Sequence, residues 1–127
     1  MPDLSVRTRT GGQSALSEAT VAEFIKATKA EIVLAGHVGY DGARTIWNAM
    51  VDRRPALIVR CSGVSDVIHA VNFAREHNLL LSVRGGGHNI AGLSVCDGGL
   101  MVDLSLMNDV RVDPKARTAR VQGGATI

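Results

Sequence analysis

Leu79-Leu80-Leu81-Ser82-Val83 runs directly into Arg84-Gly85-Gly86-Gly87-His88-Asn89-Ile90-Ala91-Gly92. An apolar strand-like run meets three consecutive glycines, and a single histidine closes them. Residues without a Cβ let the backbone take left-handed conformations and approach a ligand closely. Successive N–H groups can then converge on an anion. Arg84 stands at the mouth of the loop as a phosphate-type charge. His88 is the residue there with nucleophilic or acid–base chemistry. The stretch is expected to grip a phosphorylated cofactor, with His88 at its reactive end.

The residues before the loop say what carries it. Pro55 opens the strand Ala56-Leu57-Ile58-Val59-Arg60, whose continuous apolar character predicts burial on both faces, as in a parallel sheet. Ser62-Gly63 turns the chain into a helix over about residues 65–77. Val64, Val67, Ile68, Val71 and Ala74 form its apolar stripe, and Ser65 and Asp66 supply an N-cap and a negative first turn. His69 is expected to be solvated. Strand, helix and strand make a βαβ unit with a right-handed crossover. The glycine loop then leaves the C-terminal end of a strand, where open α/β sheets bind ligands. Leu100–Leu104, Val110–Val112 and Thr118–Gln122 read as short strands, separated by turns at Asp97-Gly98-Gly99 and Asp113-Pro114-Lys115. The expected fold class is α+β: a βαβ unit with a small parallel sheet flanked by helices, followed by short antiparallel strands.

Towards the N-terminus the signals weaken. Residues 1–15 are polar, contain Gly11-Gly12-Gln13-Ser14, and read as a flexible lead-in to a domain over residues 16–127. A helix is predicted from about Ser17 to Ala30, with Val21, Phe24, Ile25 and Thr28 on one face. Thr20 and Glu23 have capping-box spacing, and Ser17 is the alternative N-cap. Ile32–Ala35 is a short apolar tail that Gly36 ends. Residues 36–48 read as irregular, with His37 a hydrogen-bonded loop histidine, Tyr40 and Asp41 in turn hydrogen bonds, and Trp47 a core anchor.

Composition narrows the function. The chain has 127 residues, 46% hydrophobic and 20% charged, which suits one soluble domain. A net charge of +2, with one Trp, one Tyr and two Phe, argues against nucleic acid and an anionic membrane surface. Cys61 and Cys96 make neither a disulfide framework nor a zinc site and read as buried reduced thiols. The chain start lacks a secretory apolar region, and no run approaches a transmembrane span. A cytoplasmic protein is expected.

Known phosphate loops fit poorly. A G-x-G-x-x-G pattern begun at Gly85 would need glycine where Ile90 stands. Gly87 and Gly92 have the Walker A glycine spacing, but Leu93-Ser94 follows where Lys-Ser/Thr is required. Neither pattern accounts for His88.

Taken with Asp97-Gly98-Gly99-Leu100-Met101-Val102-Asp103-Leu104-Ser105 and Arg117–Thr126, the loop resembles the FAD-linked oxidases of the berberine-bridge-enzyme type, within the vanillyl-alcohol-oxidase fold. The similarity extends upstream through Tyr40-Asp41, Trp47-Asn48 and Pro55–Arg60. It implies that Gly85, Gly86, Gly87 and Asn89 contact the FAD pyrophosphate and that His88 is bonded to the flavin 8α-methyl carbon. It implies supporting roles for Arg84, Gly92 and Ser94, and places Gly124, Ala125 and Thr126 beside the flavin. The family's second, cysteinyl link does not fall at Cys61 or Cys96. Because the sequence stops within a new glycine turn at Gly123–Ile127, it is expected to be the N-terminal part of an FAD-binding domain. A small hydroxyl- or amine-bearing substrate would then be met by later residues. The alternative is a catalytically inactive domain that folds or forms a homo-oligomer over its exposed edges without productive FAD binding.

Overall fold

The computed structural model describes residues 2–126. Ile127, the end of the expected glycine turn, and Met1, the start of the lead-in, lie outside them. The lead-in is not a loose arm. Leu4–Arg7 (β1) and Gln13–Leu16 (β2) pair as an antiparallel hairpin. Val6 and Leu16 are buried in the core, and Arg7 N–H donates to Gly98 O at 2.7 Å. Val6 and Leu16, with Leu4 packed beside them, seat a hairpin within an otherwise mostly polar stretch, which is why composition concealed it.

Helix α1 spans Glu18–Ala27 and is capped by Ser17, whose Oγ accepts from Thr20 N–H at 3.2 Å, so the cap is Ser17 rather than Thr20. Val21 and Phe24 are its buried face, while Ile25 is exposed. The apolar tail after it is a strand, Glu31–Leu34 (β3). Within the segment read as irregular, Tyr40–Arg44 forms a short helix, α2, entered through Gly39 at φ +87°. Tyr40 is buried and its hydroxyl donates to Pro55 O at 2.6 Å. Leu34 N–H donates to His37 Nδ1 at 3.3 Å, the hydrogen-bonded role expected of that histidine. Trp47 is not a core anchor: it is 72% exposed, and the neighbouring Ile46 takes the buried place.

The βαβ unit forms as expected, from Leu57–Arg60 (β4), Val64–Glu76 (α3) and Leu81–Arg84 (β5). Its two strands are parallel but not adjacent. Leu100–Asp103 (β6) inserts between them, parallel to both, giving the order β3-β4-β6-β5 with β3 antiparallel at the edge. So β6 belongs to the parallel sheet and not to the antiparallel strands that follow. Its four residues are all buried, the pattern of a strand covered on both faces. Helix α3 begins after Gly63, not at a Ser65 cap, and its buried face is Asp66, Ala70, Phe73 and Ala74. Val64, Ile68 and Val71 of the expected stripe are exposed.

One face of the sheet packs on α1 and α3, which are joined by stacked Phe24 and Phe73 rings 4.1 Å apart; the other, with Ile58 and Met101, packs on Tyr40 and Ile46. Val110–Asp113 (β7) and Thr118–Val121 (β8) form a separate antiparallel hairpin, as expected for this end of the chain, and its residues are exposed.

Two buried groups carry protonation consequences. Burial alone would raise the Asp66 pKa, but its carboxylate accepts from Ser62 N–H and Oγ, both at 3.0 Å, and from Thr28 Oγ1 at 3.2 Å. The net result lies below the ordinary value of 3.8. Cys61 is pushed up to about 11 by burial and by the Asp66 and Asp103 carboxylates.

A fold hung on β6 predicts that Leu100→Ala lowers unfolding free energy by about 2–5 kcal/mol in urea titrations. Arg120→Ala on the exposed β8 should change it by less than about 0.5 kcal/mol. A depressed Asp66 pKa favours the ionised fold, so its contribution is present above pH 3.8 and fades as pH falls through the lower folded value. Asp66→Asn should flatten that acid limb in a stability-versus-pH series.

Candidate functional site

Strands β4, β5 and β6 all end at the same edge of the sheet, and the candidate residues gather there. Across the last row of the ladder, Glu31 stands opposite Arg60, Arg60 opposite Asp103, and Asp103 opposite Arg84. Arg60 donates to Glu31 at 2.9 Å and to the buried Asp103 at 3.3 Å. Arg84 Nη1 donates to Ala43 O at 2.7 Å, whereas its Nε is buried without a hydrogen-bond partner among the described residues.

Beyond Arg84 the two glycine stretches press together. A Cβ on Gly85 would collide with the Gly123 carbonyl oxygen, and one on Gly124 with the Leu104 carbonyl oxygen. Gly124 N–H donates to Met107 O at 2.9 Å, which fixes the second stretch. A Cβ on Gly86 would lie 2.7 Å from His88 Cε1 and 3.2 Å from Thr126 Cγ2, so imidazole and methyl flank it. Gly87 is left-handed at φ +74°, and its carbonyl accepts from Trp47 N–H at 3.1 Å.

Between the two stretches lies a cavity of about 430 Å³ lined by Arg84, Gly85, Gly86, Ser105, Asn108, Val110, Gly124, Ala125 and Thr126. A smaller cavity of about 250 Å³ adjoins Arg84 and Ser105 on the α2 side. Six of the residues named from the sequence therefore converge: Arg84, Gly85, Gly86, Gly124, Ala125 and Thr126. Gly87 shapes the loop, and His88 is exposed at its outer end. Neither of these two lines the cavity, nor do Asn89, Gly92 and Ser94. Asn89 Oδ1 accepts from Leu93 N–H at 3.1 Å and its carbonyl from Gly92 N–H at 3.0 Å, so Asn89 builds a turn. Gly92, at φ +74°, packs against Val51. Ser94 is buried, its Oγ without a partner among the described residues. Ser105 and Asn108 were missed; only the run Asp103-Leu104-Ser105 hinted at the first. A separate groove of about 390 Å³ between α1 and α3 is lined by helix side chains and His77.

This cradle suits a bridged phosphate anion. Gly85, Gly86 and Gly124 give it stretches of main chain without Cβ atoms, and Arg84, Ser105 and Thr126 add a guanidinium and two hydroxyls. The family described as FAD binding domain matches residues 55–127, which contain every residue of that lining. The chain belongs to the FAD binding domain family.

Relatives of this FAD binding domain are FAD-linked oxidoreductases of the berberine-bridge-enzyme-like type. It is 39% identical over 94 residues to (R)-6-hydroxynicotine oxidase of Paenarthrobacter nicotinovorans, covering 74% of this chain and 20% of that protein. Among solved structures, BBE-like 1 of Physcomitrella patens superposes with a TM-score of 0.74 at 28% identity, covering 80% of this chain and 22% of that one. Glucooligosaccharide oxidase of Acremonium strictum, described for its 6-S-cysteinyl, 8α-N1-histidyl FAD, superposes with a TM-score of 0.72 at 32% identity, covering 83% and 22%. The chain spans about a fifth of the length of the curated relatives it matches. No helix among the described residues is long and apolar enough to cross a membrane.

The two loop glycines should respond differently to alanine. In Gly85→Ala the new methyl meets backbone that cannot step aside, and melting curves should show a loss of about 1–3 kcal/mol. In Gly86→Ala it meets chiefly the His88 ring, which can rotate, so stability should stay within about 1 kcal/mol of the parent.

Proposed function

We propose that this chain grips the FAD pyrophosphate with its two glycine stretches, and that His88 carries the flavin covalently in an FAD-linked oxidoreductase. The complete protein would oxidise a small hydroxyl- or amine-bearing substrate. The carrying observation is the abutment of Gly85 with Gly123 beside a cavity lined by both glycine stretches and Arg84. FAD, when bound, supplies the hydride-accepting chemistry.

The chain's own residues then divide the work. Backbone N–H groups of Gly85, Gly86 and Gly87 face the anion, and Arg84 adds a fixed cation. Ala125 and Thr126 close the opposite wall. Asn89 has its amide nitrogen left for a phosphate oxygen, because its Oδ1 is taken by Leu93 N–H. Gly92 keeps the turn that holds Asn89, and Ser94 holds an unspent hydroxyl behind it. His88 is held at the loop's end by the turn that follows it, and Asn48 Nδ2 pins that turn through Ile90 O at 2.9 Å. Neutral imidazole is a competent nucleophile near neutral pH. The histidyl FAD of glucooligosaccharide oxidase supports this role for His88. A cytoplasmic setting accords with two buried free thiols.

A second reading, association without productive FAD binding, rests on one observation. Val110, Val112 and Val121 share the uncovered face of the β7–β8 hairpin.

Acid precipitation of protein prepared with FAD separates the readings. Yellow flavin should stay in the pellet of the parent and leave that of His88→Ala, which should still quench the fluorescence of added FAD. A colourless parent pellet from protein that quenches no flavin would sink the proposal. If that protein also elutes as an oligomer, the second reading stands.

A further inference from the structure

Helix α2 and strand β4 are joined by residues 45–56, a stretch with neither helix nor strand. Both of its ends are fixed. Ile46 is buried with Tyr40, Ile58 and Met101, and Pro55 is buried at the entry to β4. Between them Arg44 pairs with Asp52 and donates to Arg53 O at 3.2 Å. Arg54 N–H donates to Asp97 Oδ1 at 2.7 Å.

This connection grips the glycine loop along its length. Trp47 N–H donates to Gly87 O at 3.1 Å, and Asn48 Nδ2 to Ile90 O at 2.9 Å. Arg53 Nη1 donates to Gly92 O at 2.6 Å and to Val95 O at 3.1 Å. Val51 packs so closely on Gly92 that a Cβ there would lie 2.7 Å from Val51 Cγ2. Each of these hydrogen bonds runs from a donor on the connection to a main-chain carbonyl of the loop. His88 lies between the first two held carbonyls, those of Gly87 and Ile90. Asn48 is itself set for this contact. Its Oδ1 accepts from Met50 N–H at 3.1 Å, and its carbonyl accepts from Val51 N–H at 3.0 Å. With the oxygen so taken, the amide has one orientation, nitrogen towards Ile90.

We propose that Asn48 is a positioning residue for attachment of the flavin at His88, the central pin of a strap formed by residues 46–53. The inference rests on the function proposed above and adds a residue that acts through the loop's main chain. Attachment breaks the imidazole N–H bond and one C–H bond of the 8α-methyl group and forms one N–C bond. Two electrons and two protons pass to the flavin ring, and dioxygen takes them up as hydrogen peroxide. The imidazole must stand within bond-forming reach of a single carbon, and misplacement by about 1 Å in such a reaction costs on the order of a hundredfold. Glycines that admit a ligand to the backbone bring no rigidity of their own. The strap brings it, by fixing carbonyls on both sides of His88 before the cofactor arrives. Gripping the pyrophosphate and placing the imidazole are thus separate tasks on separate residues.

Two readouts on the complete protein test this. In protein prepared without FAD, hydrogen exchange at the Trp47, Gly92 and Leu93 amides should be about tenfold faster in Asn48→Ala than in the parent, with the β4 amides unchanged. With FAD added, acid-precipitable flavin should accumulate about tenfold or more slowly in Asn48→Ala at saturating FAD. The FAD concentration giving half the limiting rate should stay within about twofold of the parent. Asn48→Asp keeps the acceptor for Met50 N–H and loses the donor to Ile90 O, so it should attach flavin as slowly as Asn48→Ala. Parental exchange in Asn48→Ala, or attachment at the parental rate in either variant, would overturn the proposal. So would a weaker half-saturation with an unchanged limiting rate, which would assign Asn48 to binding. A parent that never retains flavin would overturn the function proposed above and this role with it. A parent that retains flavin beside an equally fast variant would overturn this role alone.

Discussion

Everything at the C-terminal edge of the sheet is held by one demand, that β6 be satisfied on all four sides at once. Leu100, Met101, Val102 and Asp103 are buried, with β4 hydrogen-bonded along one edge and β5 along the other. Leu100 and Val102 face the α1–α3 core, and Met101 faces the core of Tyr40 and Ile46. A strand in that position cannot shift without exposing apolar surface on one face and orphaning backbone groups on both edges. Its entry is equally constrained, because a Cβ on Gly99 would collide with the Leu80 carbonyl oxygen. The end of β6 therefore delivers Asp103, Leu104 and Ser105 to fixed positions, and the cradle is built on them.

Close backbone contact is the cradle's working principle. Gly124 rests against the Leu104 carbonyl and Gly85 against that of Gly123, so two loops separated in sequence become one wall. The glycines of that wall carry no side chains to hold a ligand at a distance. Arg84 adds charge from a side chain already fixed by Ala43 O, so little of its conformational freedom remains to be lost on binding.

How far the sequence revealed this depended on the kind of signal. The apolar runs before Arg60 and Arg84 and the presence of a helix between them were legible, but the face that helix buries was not, since Asp66, Ala70, Phe73 and Ala74 turn inward while Val64, Ile68 and Val71 are exposed. The hairpin Leu4–Leu16 was not, since its seat in the core rests on Val6 and Leu16 with Leu4 packed beside them, too few apolar residues to show a period. Strand β3 was hidden in four residues after a helix. Trp47 misled because side-chain size says nothing about which of two neighbours the backbone turns inward, and Ile46 won. The glycines and Arg84 could be placed in the site from their chemistry, and Gly124–Thr126 only from family resemblance. Asn89 and Gly92 lie outside the cavity lining and form the turn beyond the loop. Ser105 and Asn108 reach the cavity only because β6 is central, a fact of topology that local pattern does not carry.

The row Glu31, Arg60, Asp103 and Arg84 alternates in sign across four neighbouring strands. It acts as an index mark for assembly. If β4 and β6 slipped past each other by one residue, Arg60 would move off the buried Asp103 and leave that carboxylate without its cation. Strand order and strand register are thus checked by the same four side chains. Three of them form ion pairs with one another, and Arg84, which has no ion-pair partner among the described residues, ends the row beside the cavity between the two glycine stretches.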